Sequence, residues 1–332
     1  QALKGEELAL KVAQDQYGPT SLSLVPILND KGILEWDLAQ YRQAEQDFKW
    51  GLALLEKNLG AGDPKLADSL DLLAGLYADL NRLEEARLLE KRSLTLRQED
   101  MAGDAQAIAH SQELLGRIEL GLKDSTQALV LFQSAQKSLE KSSNADPILS
   151  INLWRDLGRA HILQQDNPQA SSCWEKALET AQKNFTPESA QVADAMLDLA
   201  DFDRNHGAGD KSGPLYESAL KIARQFVGTN YDYSALPHLR RLARIYEGMG
   251  DNKSAIAIWK KILRTEKAVL GAQHPRVALD LENLAETERS LGQKGKAQAD
   301  LKESLSILEH FFPADHPLVL QAKGLLSQSS KE

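Results

Sequence analysis

The sequence is poor in the residues that would tie it to an oxidising compartment, a membrane or a phosphate backbone. A single cysteine, Cys173, leaves no partner for an internal disulfide and no CxxC to hold zinc. It sits beside Trp174 on an amphipathic stretch and reads as a small core residue. No apolar run approaches the roughly 18–20 residues of a membrane span. No signal-peptide pattern opens the chain either. Basic residues are outnumbered 39 to 48, giving a net charge of −9 and a pI near 5.4, which argues against nucleic acid as a partner. GxGxxG, GxxxxGK[ST] and GxSxG are absent. His110, His161, His206, His238, His274, His310 and His316 form no HxxxH or HExxH pair. The expectation is therefore no enzyme, no cofactor and no metal. Two sequons, Asn184-Phe185-Thr186 and Asn252-Lys253-Ser254, are near the chance frequency for this length.

What the chain has instead is a period. Helix formers dominate, only 11 prolines occur, and hydrophobic and charged residues make up 42% and 26%, so the chain is folded and all-α. Residues 277–317 set the frame: a helix over 277–291, a glycine-containing turn, and a second helix over 296–311. His274-Pro275 and His316-Pro317 bracket it as helix-start residues, 42 positions apart. The same frame recurs six more times.

Each second helix carries a small residue, at Ala44, Ala86, Ala128, Ala170, Ser212, Ala255 and Ala297. The spacing is 42 throughout, with one extra residue after Ser212 that we place in the loop 228–236. Twelve positions earlier the first helices carry Gly32, Ala74, Gly116, Gly158, Ala200, Ala243 and Ala285. Small residues at paired points let two helices cross closely. A bulky residue follows four positions after the second small one (Phe48, Phe132, Trp174, Tyr216, Trp259, Leu301), with Glu90 the exception. A leucine column before the first small residue is broken at Lys31. Aromatics recurring at the repeat period read as core rather than as a ligand cage.

The expected architecture is one α-solenoid over 1–332: a half-repeat at 1–19, seven helical hairpins at 24–312, and a capping helix at 315–329 whose polar end frays. Gln1 falls inside a helical pattern, so the chain is expected to be an excised fragment or the mature form of a precursor. The compartment stays open: cytoplasmic, or secreted or periplasmic if Gln1 follows a cleaved signal peptide.

These columns, with a third small residue at Gly51, Ser93, Ala135, Ala177, Ala219 and Ser304, resemble the tetratricopeptide repeat (TPR). The period of 42 and the LGAGDP and LGAQHP linkers are similar to the kinesin-light-chain subtype. The family's tyrosine stands only at Tyr77 and Tyr246, and Asn283 is the clearest survivor of the subtype's asparagines. The resemblance implies a right-handed superhelix of antiparallel helix pairs whose first helices line a concave, peptide-binding groove.

On that resemblance, the residue after the first small one faces inward: Ile33, Gly75, Arg117, Arg159, Asp201, Arg244, Glu286. Four positions earlier on the same helix face come Asn29, Asp71, Glu113, Arg155, Leu197, Arg240 and Glu282. The fourth and sixth units thus each present an arginine pair, Arg155/Arg159 and Arg240/Arg244. The candidate ligand-binding residues are Arg117, Arg155, Arg159, Asp201, Arg240, Arg244 and Asn283. Two readings stay open: a groove accepting a carboxylate-bearing or phosphorylated segment, or a ladder of surface ion pairs through Arg159, Asp201, Arg244 and Glu286. The leading expectation is a non-catalytic scaffold for a protein or peptide partner, one with an acidic segment on the first of these readings. The alternatives are a subunit that self-assembles head to tail into a filament, and a regulatory TPR module of a larger protein.

Overall fold

A computed structural model describes residues 2–100, 104–140, 142, 145–206, 209–226 and 233–331, and among these residues the chain is helix and turn without a strand. Contact density separates two compact units, Gln1–Gln165 and Asp166–Glu332. The first holds α1 (Ala2–Tyr17), α2 (Leu24–Asp37), α3 (Tyr41–Leu59), α4 (Ala67–Asp79), α5 (Leu83–Glu99), α6 (Ala105–Gly121), α7 (Ser125–Leu139) and α8 (Pro147–Leu163). The second holds α9 (Asn167–Asn184), α10 (Ala190–Asn205), α11 (Gly209–Phe226), α12 (Leu236–Gly248), α13 (Asn252–Val269), α14 (Pro275–Ser290), α15 (Lys294–Phe311) and α16 (Pro317–Lys331). In each unit every helix packs on the next, so an antiparallel hairpin is the repeating element. The frame read at 277–317 becomes α14 and α15. The insertion placed at 228–236 falls mostly outside the described residues. None of the described helices is long and apolar enough to cross a membrane.

The hairpin turn explains why the period is so regular. Six of the first helices, α2, α4, α6, α8, α12 and α14, end in a residue with positive φ: Ala39 (58°), Asn81 (57°), Lys123 (65°), Gln165 (61°), Gly250 (79°) and Gly292 (79°). The following N–H reaches back to a carbonyl five residues earlier, as in Gln40 to Glu35 at 2.8 Å, Arg82 to Tyr77 at 2.8 Å and Asp124 to Glu119 at 2.9 Å. This is the Schellman closure, and it reverses the chain with the fewest residues. The next helix is then capped at once: the Asp124 carboxylate accepts from the Gln127 N–H at 2.9 Å, and Asp251 from that of Ser254 at 3.2 Å. First helices α6 and α8 are capped in the same way by Asp104 and Asp146, and Asp63 caps the short 3-10 turn that leads into α4. His274 and His316 take that role in the last units, each ring Nδ1 accepting a backbone N–H, from Arg276 at 3.2 Å and Leu318 at 3.3 Å.

The core lies along the hairpin seams. A Cβ on Gly32 would stand 2.5 Å from the Phe48 ring, and one on Gly116 would overlap Phe132 in the same way. The small residue of one helix therefore seats the aromatic of its partner, which is why the two columns recur in phase. Phe48, Phe132, Tyr216 and Trp259 are fully buried. Cys173 is buried too, and burial pushes its thiol up to about 11, so it is a packing residue.

Candidate functional site

The two inner columns of the sequence frame have different fates. Those just after the small residue reach solvent. Arg117 on α6 is 57% exposed and lies 3.6 Å from Glu113, one turn before it. Arg159 on α8 is 63% exposed and donates to Asp156 at 3.0 Å. In the second unit, Arg244 on α12 donates to Asp201 on α10 at 2.6 Å and approaches Asp198 at 3.5 Å. Asp201 also accepts from the Tyr216 hydroxyl at 2.6 Å. One rung of the ladder, Asp201 to Arg244, thus forms within residues 166–332. Asn283 is exposed on α14, and its backbone carbonyl accepts from the Thr287 hydroxyl at 2.8 Å.

The column four residues earlier turns into the seams between helices. Arg240 is only 30% exposed and bridges α12 to its neighbours, donating to Asp280 of α14 at 2.8 and 3.1 Å and to Glu266 of α13. Arg155 is half-buried and donates to Asn152 at 3.3 Å. Asp71 on α4 holds Ser93 and Arg97 of α5, and Arg97 donates across to Ser111 of α6 at 3.0 Å. Position for position this is the Arg240–Glu266–Asp280 node with the charges exchanged. Arg97 stands where Glu266 stands, Asp71 where Arg240 stands, and Ser111 where Asp280 stands. A buried charge persists only when paired and hydrogen-bonded, so both nodes are structural. Arg240 is accordingly engaged within the fold, and the exposed guanidiniums are those of Arg117, Arg159 and, in part, Arg244.

The positions that broke the sequence columns are also nodes. Lys31 donates to Glu35 and Asp47, each at 2.5 Å. Glu90, where a bulky residue is the rule, is fully buried beside Asp71 and Ser111, and burial pushes its carboxyl up to about 9. Sequence reasoning missed one further column. The family tyrosine position holds Glu35, Tyr77, Glu119, His161, Asp203, Tyr246 and Glu288, acids alternating with rings. The four acids are buried. Glu119 is met by Arg87 at 3.8 Å and Lys91 at 3.7 Å, and Glu288 by Lys260 at 3.1 Å, all from the preceding second helix. Reading that column past its two tyrosines would have revealed the alternation. Arg241, beside Arg240, was missed as well: it is buried and clamps Asp194 through two nitrogens.

Comparison with known proteins agrees with this geometry. The tetratricopeptide-repeat family matches residues 234–310 and again residues 66–99. The Arabidopsis thaliana protein kinesin light chain-related 2 is 22% identical over 235 residues, covering 70% of this chain and 35% of that protein. This chain carries tetratricopeptide repeats, and it is similar to proteins of kinesin-light-chain-like type. Its hairpins are TPR hairpins and its fold is the TPR-like α-solenoid. Tetratricopeptide repeat protein 23-like of Mus musculus is 24% identical over 222 residues, covering 64% of this chain and 46% of that one. The TPR chain thus spans about a third to a half of the length of these curated relatives. Among solved structures, the Rap conjugation gene regulator of plasmid pLS20, in complex with the Phr* peptide, superposes with a TM-score of 0.60. It is 12% identical, covering 87% of this chain and 75% of that one, a likeness of fold.

Proposed function

We propose that the chain is a non-catalytic interaction scaffold that holds a protein or peptide segment against its first helices, with an acidic group of the ligand seated on α6 and α8. The observation that carries this reading is the pair of exposed guanidiniums, Arg117 and Arg159, at the same repeat position on consecutive first helices of the first unit. Each leans on a carboxylate of its own helix, which fixes the head group while leaving donors for a second anion. Arg155 lies one turn before Arg159. In the second unit, taken by itself, Arg244 is a weaker anion contact, because part of its donor set is spent on Asp201 and Asp198. The peptide held by the pLS20 Rap regulator supports a peptide ligand in this fold.

The test is a binding series with acidic, neutral and basic peptides of one length. Arg117→Ala with Arg159→Ala is expected to abolish a preference for the acidic member, and rising salt to weaken it. Indifference of that preference to the double substitution sinks the reading. A second reading, a TPR module acting within a longer protein, is supported by the greater length of the curated relatives. Self-association is a third, supported by exposed Leu8 and Val12 on α1 and exposed Leu320 on α16. Light scattering across a concentration series decides it, and a monomeric mass throughout removes it.

A further inference from the structure

We propose that Glu113, Arg117, Asp156 and Arg159 form a proton-gated anion site, in which a proton taken up by Glu113 frees Arg117 to join Arg159 on the ligand. This rests on the scaffold reading above and adds how the site is regulated. The two acids lie beneath the surface, Glu113 6% and Asp156 4% exposed, while the two bases lie above them in solvent. Glu113 of α6 and Asp156 of α8 face each other, so each carboxylate meets one arginine and one like charge. With both acids ionised the quartet is neutral, and each exposed guanidinium is paired with the acid beneath it. With a proton on Glu113 the quartet carries a net positive charge that an anion can neutralise.

The charged groups that act on Glu113 are Arg117 and Asp156, while the residues before it on α6 turn to other partners. On the α7 side, Ser134 accepts from Gln112 and Ser138 donates to it, at 2.9 and 3.1 Å. On the α4 and α5 side, Asp71, Arg97 and Glu90 close on one another and on Ser111. Burial, against the pull of Arg117 and with the push of Asp156, brings the Glu113 carboxyl up to about 7. The proton therefore exchanges near neutrality. Linkage is reciprocal: if the proton favours the anion, the anion raises proton affinity by the same factor.

The probe is a fluorescein-labelled hexaglutamate peptide, whose carboxylates stay ionised at neutral pH. Affinity is expected to fall about tenfold between roughly pH 6 and pH 8, the range over which a group near 7 loses its proton. Glu113→Gln should bind tightly across that range and lose the pH dependence, which removes His110 and His161 as its source. Carbon NMR of the unsubstituted protein should place the Glu113 side-chain midpoint near neutrality and move it upward on adding the peptide. Binding that ignores pH, pH dependence that survives Glu113→Gln, or a midpoint in the ordinary glutamate range each overturns the gate and leaves the scaffold standing. Absence of binding at either pH, with Glu113 titrating near neutrality, overturns the scaffold reading and the gate with it.

Discussion

Removing Arg240 tests whether the inner column is seam or binding surface. Its guanidinium is the cation shared by Glu266, fully buried, and Asp280, nearly so. Arg240→Ala leaves two carboxylates facing each other without it. Breaking a buried pair costs about 3–5 kcal/mol, and the partial exposure of Arg240 puts the expected loss near the lower end, about 3 kcal/mol. The pH dependence makes the test sharper. Burial, then the charge of Asp280, pushes Glu266 up to about 7 despite Arg240. A carboxyl raised in the folded state contributes stability that is full below its ordinary value and lost as pH rises through about 7. Without Arg240 the folded value rises further, so the gap to the parent protein is small near about pH 5.5 and large near about pH 8.5. Each further unit of rise adds about 1.4 kcal/mol to that difference. Repeat arrays open locally, so hydrogen exchange at the amides of α12, α13 and α14 is the assay. An equal loss at both pH values, or amides that slacken uniformly over the whole second unit, refutes the reasoning. If Arg240 instead served a ligand, the substitution would spare stability and lower affinity.

Three other outcomes follow from the same structure. Glu90→Gln should be more stable than the parent near neutral pH, because the Glu90 carboxyl, held neutral in the fold by a value of about 9, ionises at its ordinary value on unfolding and Gln does not; urea melts should show the gap opening from about pH 5 towards about pH 9, and an equal gap at about pH 5 and about pH 8 would refute this. Lys123→Gly should be neutral or stabilising by up to about 1 kcal/mol, because Lys123 holds a positive φ that costs a side chain more than a glycine; a clear loss in thermal melting would mean the Lys123 side chain makes a contact worth more than the backbone strain. Gly116→Ala should cost about 1–3 kcal/mol through overlap with the Phe132 ring, and the companion Phe132→Leu should recover part of it in a double-mutant cycle; strict additivity would show that the two do not share a seam.

The repeat was legible because its determinants are local. Asp124 caps its own helix and Gln40 closes onto Glu35, interactions that span a few residues and recur with the period. The seam columns were legible for a related reason: Gly32 and Phe48 belong to one hairpin, and a hairpin needs the same complement wherever it recurs. The exceptions, Lys31 and Glu90, were visible as breaks in a column, but what repaired them was not. Lys31 is answered by Asp47 from the facing helix, and Glu90 is kept neutral by its burial.

Sequence by itself therefore determined the helices, the turns, the caps and the in-phase seams, since each rests on contacts within one helix or between neighbours in the chain. Tertiary packing alone decided which charged column faces solvent. Glu113 and Arg117, like Arg240 and Arg244, differ by four residues, a turn of only about 40° around the helix axis. Periodicity cannot resolve that angle, because both positions lie on one face by any pattern. The rotation of each first helix against the second helices beside it fixes it, sending Arg240 inward to Glu266 and Asp280 and leaving Arg117 and Arg159 in water.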